Sequence, residues 1–303
     1  MGSPLDEAND RELRFPTTRM CTGVLLERFE ARARDSDVFV TTAAKSGQTW
    51  LLTLLFHLKT RGLEPDIRGK GLMNAMPWLE LPMDLNSREP YDVDQRLAEL
   101  EALDDPRVFK MHVEWQTVPR PPTSKSKIVT VTRDPRDLPY SMFRHLQALN
   151  ADLPDSSSPV DFDTYFEQWM EYGYIFKFVR SFWPHRGDDD VLWLRFEDMK
   201  GDLESEARKI IAFLGWAVDE RALGRVLPRV DFAYMQSVEK SKLMVGLEKS
   251  WRTDQRFFRE GAIGKNRARL NTSQEARIVA RARDEFEPEC FDWVMSQGVA
   301  PDD

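Results

Sequence analysis

Apolar positions along the chain follow two spacings. Four short runs, Val38 to Thr42 (VFVTT), Arg107 to His112 (RVFKMH), Lys127 to Thr132 (KIVTVT) and Val191 to Phe196 (VLWLRF), are rich in β-branched and aromatic residues and bounded by turn or polar residues, as buried strands are. Helical spacing predicts helices over Thr49 to Lys59, Asp94 to Leu103, Leu138 to Leu149, Phe162 to Phe182, Leu203 to Leu214 and Ser273 to Phe286. Alternation of this kind predicts an α/β fold, a parallel sheet flanked by helices on both faces. Its ligands are expected at the carboxyl ends of the strands. The stretch from Gly62 to Pro106, rich in Pro and Met, interrupts the alternation and is expected to cover the site. Glu248 to Asn271 carries Arg252, Arg256, Arg259, Lys265, Arg267 and Arg269 with little apolar periodicity and reads as a basic loop, whose bland interpretation is a solvated surface.

Composition narrows the class. With 303 residues, 41% of them hydrophobic, the chain can bury one large core, and a single domain over 21–303 is expected after a flexible segment 1–20. Cys21 and Cys290 form no CxxC pair, which excludes a zinc site or a disulfide framework and fits a reducing compartment. Met1 to Arg14 has no signal-peptide apolar run, and the longest apolar stretch, Trp50 to Phe56, is too short to span a bilayer. A cytoplasmic protein is therefore expected. A formal net charge of −8 argues against nucleic-acid or membrane partners, so an anionic ligand must meet locally concentrated positive charge. The oligomeric state is left open.

Two places concentrate such charge. The first strand runs through Ala43, Ala44, Lys45, Ser46 and Gly47 into Gln48, Thr49 and Trp50 at the head of an apolar helix. A helix N-terminus points unpaired N–H groups and the positive dipole end at an anion, Lys45 adds a full charge, Gly47 permits close approach, and Ser46 and Thr49 offer hydroxyls. On its own such a loop is more often a helix cap. It is not a Walker A loop, because no Gly precedes Lys45. At the second junction, Lys127 to Phe143, Arg133 leaves the strand end, Asp137 is a plausible N-cap and Ser141 lies near the helix start. Taken alone, Arg133 reads more readily as an ion-pair partner of Asp134 or Asp137. Two such junctions in one sheet suit a ligand with anionic groups at two ends, such as a mononucleotide with 3′ and 5′ groups.

The run Lys45-Ser46-Gly47-Gln48-Thr49-Trp50 resembles the 5′-phosphosulfate motif of the cytosolic-type sulfotransferases that use 3′-phosphoadenosine 5′-phosphosulfate (PAPS). Arg133 and Ser141 match the spacing of that family's 3′-phosphate motif. The likeness extends in order through Pro77-Trp78-Leu79-Glu80, Lys110-Met111-His112, Phe196 to Lys200, Phe232 with Met235, and Phe258 to Gly264. It implies PAPS as sulfuryl donor, its bisphosphate PAP as product, no required metal, and a small hydroxyl acceptor. The donor residues it implies are Lys45, Ser46, Gly47, Gln48, Thr49, Trp50, Arg133, Ser141, Phe196, Phe232, Met235, Phe258, Arg259, Glu260 and Gly261. His112, Lys45, Lys110 and Ser141 are the implied catalytic set. The chain departs from the pattern at Gln48, where Thr is usual, at Ala43-Ala44, at Phe196, where Tyr is frequent, and at Glu260, where Lys is usual. The Asp-Trp pair expected between Gly264 and Lys265 is missing, and the dimer motif is not reproduced.

The chemistry is coherent with this. A neutral hydroxyl needs a base, and the leaving phosphate oxygen needs positive charge. His112 ends a strand, and alternation puts Lys110 on the same side. His57 and His145, inside helical patterns, and His185, in a turn, are assigned structural or surface roles. Met73, Met76, Trp78, Leu79, Leu81 and Met83 suggest an apolar pocket for a phenol or apolar alcohol. A kinase reading lacks a Walker A loop and a magnesium carboxylate at a strand end. A nonenzymatic binding protein has no need of a base.

Overall fold

The computed structural model describes residues 18–63, 71–81, 83–84, 87, 89–149, 161–238, 252, 254–259 and 261–296. In chain order the main elements are Thr18–Glu30 (α1), Val38–Thr41 (β1), Gln48–Lys59 (α2), Gly71–Ala75 (α3), Val93–Glu101 (α4), Val108–Met111 (β2), Lys127–Thr132 (β3), Leu138–Ala148 (α5), Phe162–Tyr172 (α6), Tyr174–Phe182 (α7), Val191–Arg195 (β4), Phe196–Gly201 (α8), Leu203–Leu214 (α9), Glu220–Val226 (α10), Phe232–Val238 (α11), Thr272–Glu285 (α12) and Pro288–Met295 (α13). All four strands are parallel, in the order β2-β1-β3-β4, and all four were expected from the pattern. Among the described residues no helix is long and apolar enough to cross a membrane.

Period-two alternation divides the core between the two faces of the sheet. Phe39, Phe109 and Ile128 face a core built with α1, α4, α6, α7, α12 and α13. Val38, Val40, Val108, Val129 and Val131 face α2, α8, α9 and α10. Because both faces are covered, the strands read as near-continuous apolar runs. Asp37, at the start of β1, accepts from Arg107 Nε at 2.8 Å and Nη2 at 2.6 Å, both groups fully buried, and so locks the first residues of β1 and β2 together.

Several expectations are corrected. The helix expected over Phe162 to Phe182 is two helices, broken at Gly173, which has φ 59°. A Cβ there would lie 2.0 Å from the Arg281 guanidinium, so both backbone and packing require glycine. Asp137 takes the expected N-cap position of α5, at the end of a short 3₁₀ turn, Pro135–Asp137, but its side chain makes no cap hydrogen bond and turns to other partners. Met76 and Leu79, expected to line a pocket, are core residues at 1% and 0% exposure. Within the same stretch, Pro77 to Leu79 join the sheet edge: Lys110 N donates to the Pro77 carbonyl and Leu79 N to that of Lys110, both at 2.9 Å. Of the segment 1–20, only 18–20 are described, as the start of α1. The expectations at Glu260 and Asn86 lie outside the described residues.

Candidate functional site

The carboxyl ends of the four strands release Lys45, His112, Arg133 and Phe196 at one edge of the sheet. After β1 the chain folds back through two left-handed residues, Lys45 at φ 71° and Gly47 at φ 100°, before α2 begins. Lys45 thus holds a conformation that costs a non-glycine residue on the order of 1 kcal/mol, tolerated where a site needs it. No side chain caps α2, which leaves its first-turn N–H groups to a ligand. Ser46 Oγ is buried without a hydrogen-bond partner among the described residues. Phe196 packs on the loop, 2.8 Å from where a Gly47 Cβ would stand. The Gln48 amide, however, turns into the sheet and donates to the carbonyls of Val40 (2.9 Å) and Met111 (2.6 Å). Only its backbone can serve an anion at the loop.

At the end of β2, Lys110 lies with Nζ 3.1 Å from the centre of the Trp78 ring, and the His112 ring meets the same indole edge-on at 5.3 Å. The expected same-side placement of Lys110 and His112 is therefore present. His112 Nδ1 lies 2.7 Å from the Thr42 carbonyl, which has only acceptor capacity, so Nδ1 carries the proton and Nε2 keeps its lone pair. The His112 backbone N–H donates to Glu80 Oε1 at 2.6 Å, and its carbonyl accepts from the Tyr174 hydroxyl at 2.7 Å. Burial, then the Lys110 charge, push the His112 imidazole down to about 3 in the free protein. Burial, then the charges of Arg259, Arg133 and Lys110, push Lys45 down to about 7. Lys110 is lowered by burial, against the pull of Glu80, whose own carboxyl burial pushes up.

At the end of β3, Arg133 donates from Nη2 to Asp137 Oδ2 (3.0 Å) and to the Ala262 carbonyl (3.1 Å), with its guanidinium 4.3 Å from the Phe196 ring centre. Its Nε is buried without a partner among the described residues. Both readings of this arginine coexist: it pairs with Asp137 and still keeps a donor. Asp137 also accepts from the backbone N–H of Gly264 and of Arg267, each at 2.8 Å, which ties the C-terminal basic segment to α5. Arg259 donates to the Ser141 carbonyl at 3.1 Å. Gln236 donates to the carbonyls of Phe258 and Arg259. Phe232 lies against Gly261, where a Cβ would meet its ring at 2.3 Å, and Trp50 stands edge-on to Phe196 at 5.7 Å. Met235 is 1% exposed and belongs to the core behind this aromatic group.

The structure brings in residues given other roles from sequence. His145, assigned a structural or surface role, lies with Nδ1 3.3 Å from Lys45 Nζ, a correction that only the fold supplies. Its spacing of four from Ser141 was the available signal, because one helix face carries both. Phe257 presents its ring to the Lys45 ammonium at 4.8 Å and its edge to His145. Tyr174 owes its reach to the break at Gly173. Cations on three loops, a base with a fixed tautomer and an aromatic flank can bind an anionic nucleotide and deprotonate a hydroxyl beside it.

The sulfotransferase domain family matches residues 35–287. Amine sulfotransferase of Oryctolagus cuniculus is 26% identical over 295 residues, 95% of this chain and 94% of that protein. Sulfotransferase 4A1 of Mus musculus is 30% identical over 234 residues, 75% of this chain and 76% of that protein. Among solved structures, mouse sulfotransferase SULT7A1 complexed with PAP shares the fold with a TM-score of 0.67 at 21% identity, covering 93% of this chain and 96% of that one.

Proposed function

The chain belongs to the sulfotransferase family, and from that premise we propose that it transfers a sulfuryl group from PAPS to the hydroxyl of a small phenolic or apolar acceptor, with His112 as the base. The observation that carries this is the convergence of an uncapped helix N-terminus, Lys45, Arg133 and a tautomer-fixed His112 at one sheet edge. The fit to the donor is supported by Ser46 Oγ and Arg133 Nε, buried polar atoms without a partner among the described residues. Ser46, the Gly47 to Trp50 backbone and Thr49 would hold the 5′ end. Arg133, Ser141, Arg259 and the backbone at Gly261 would hold the 3′-phosphate, and Trp50, Phe196 and Phe232 would flank the base.

When bound, the donor supplies the sulfuryl group and the bisphosphate leaving group. His112 Nε2 takes the acceptor proton while Nδ1–H stays on Thr42, so the ring does not turn during transfer. Lys45, with Lys110 behind it, places positive charge where the leaving oxygen gains charge. An imidazole at about 3 is a weak base; burial sets most of that lowering, and the charges of Lys110 and Lys45 add to it. Donor phosphates would offset the cationic part and raise the imidazole from that value. Trp78 and Phe257 beside the two lysines offer the aromatic walls that favour a phenol.

The test is mass spectrometry of PAPS reactions with a panel of phenols and alcohols, alongside calorimetry. Two or three charged hydrogen bonds to the 3′-phosphate, each contributing about 1.5–3 kcal/mol, should make PAP bind at least ~100-fold more tightly than adenosine 5′-monophosphate. Equal affinities would remove Arg133 and Ser141 from the donor site and, with them, most of the reading.

A further inference from the structure

We propose that His145 is a positioning residue for Lys45: one imidazole nitrogen accepts a hydrogen bond from the Lys45 ammonium, keeping that cation protonated and held against α5 beside the donor loop. The contact joins residues 100 positions apart at 3.3 Å. Lys45 is carried there by its left-handed backbone, and its ammonium lies 4.8 Å from the face of Phe257. Among the described residues these two side chains are what favours charge on Lys45. The groups facing it otherwise oppose that charge: Arg259 from the C-terminal segment, Arg133 from the end of β3 and Lys110 from β2. The neighbouring carboxylates are engaged elsewhere, Glu80 with Lys110 and His112 and Asp137 with Arg133.

The proton of the pair belongs to Lys45. His145 is held well below its ordinary value by burial first and then by the charges of Lys45, Arg259, Lys110 and His112, so its ring is neutral and can accept at neutral pH. Lys45 falls only to about 7. A hydrogen bond to the charged form of a group favours that form, so the imidazole works against burial and against three cations. Without it Lys45 would lose its proton below neutrality, and the donor loop would lack a charge when the donor arrives. His145 is one turn from Ser141 on α5, so a single helix face carries both a proposed phosphate hydroxyl and the holder of the lysine. The inference rests on the reading above only for that last consequence, the service of Lys45 to the donor.

The experiment titrates the Lys45 side chain directly, by ¹³Cε NMR of the nucleotide-free protein between pH 5 and 10, with Lys45→Arg to assign the signal. Wild type should titrate near 7, and His145→Phe about one pH unit or more lower, a tenfold loss of proton affinity. His145→Gln, which restores an acceptor, should recover much of the difference, as a purely space-filling role would not. Far-UV circular dichroism checks the fold of each variant; should the phenylalanine variant unfold, His145→Leu replaces it. Equal midpoints in wild type and the apolar variant overturn the inference and leave the donor reading untouched. Calorimetry with PAP separates the other failure: a wild-type protein that binds no bisphosphate sinks the donor reading while the NMR comparison still stands.

Discussion

His112 is fixed from three sides before any ligand arrives: its ring by the Thr42 carbonyl, its N–H by Glu80 and its carbonyl by Tyr174. A base held this way contributes through transfer of the proton rather than through donor affinity. His112→Ala should lower kcat by about 100-fold or more while PAP affinity by calorimetry stays within about threefold. Turnover within a few-fold of wild type would assign the ring a packing role against Trp78. The residue's place was legible from its position at a strand end. Its tautomer was not, because the Thr42 carbonyl lies 70 residues away in sequence.

Among the elements, the joint between α5 and the C-terminal basic segment hangs on Asp137. Its carboxylate receives the Arg133 guanidinium and the N–H groups of Gly264 and Arg267, so one side chain orders an arginine and a loop together. Breaking a buried pair leaves an uncompensated charge, and Asp137→Ala should cost about 3–5 kcal/mol in urea unfolding. The same variant should weaken PAP by tenfold or more while adenosine 5′-monophosphate changes little, since Arg133 and Gly261 are the proposed holders of the 3′-phosphate. A uniform loss of affinity for both nucleotides would mean that Asp137 only holds the fold. The motif spacing located this element pair and the capping rule placed Asp137 at the N-cap, but not the partners of its carboxylate. Capping is a local preference, and three tertiary donors outweigh it.

Across the whole molecule, a chain of net charge −8 gathers Lys45, Lys110, Arg133 and Arg259 around one site. That arrangement opposes folding until an anion fills it. The folded Lys45 titrates near 7 against an ordinary 10.5, so between those values the unfolded chain holds the extra proton. This group's contribution to stability therefore rises with pH across that window and is least favourable below 7. Donor phosphates restore the proton, so nucleotide binding takes protons up and weakens as pH rises. Saturating PAP should raise Tm by more at pH 7.5 than at pH 9. An equal or larger shift at pH 9 would show that Lys45 stays charged throughout in the free protein.

The sequence by itself determined the parallel α/β order, the two cation-bearing strand–helix junctions and the family, because strand alternation, helix-start chemistry and motif spacing are local and periodic. Only the tertiary structure decided which of those residues meet. It turned the Gln48 amide into the sheet, where strand-end carbonyls needed donors, and buried Met76 and Leu79 in the core. It broke the helix at Gly173 and set the Tyr174 hydroxyl on the His112 carbonyl. His145 came to Lys45 from 100 residues away because β1 and β3 are neighbours, and the chain leaving each at the same sheet edge must fold over the other.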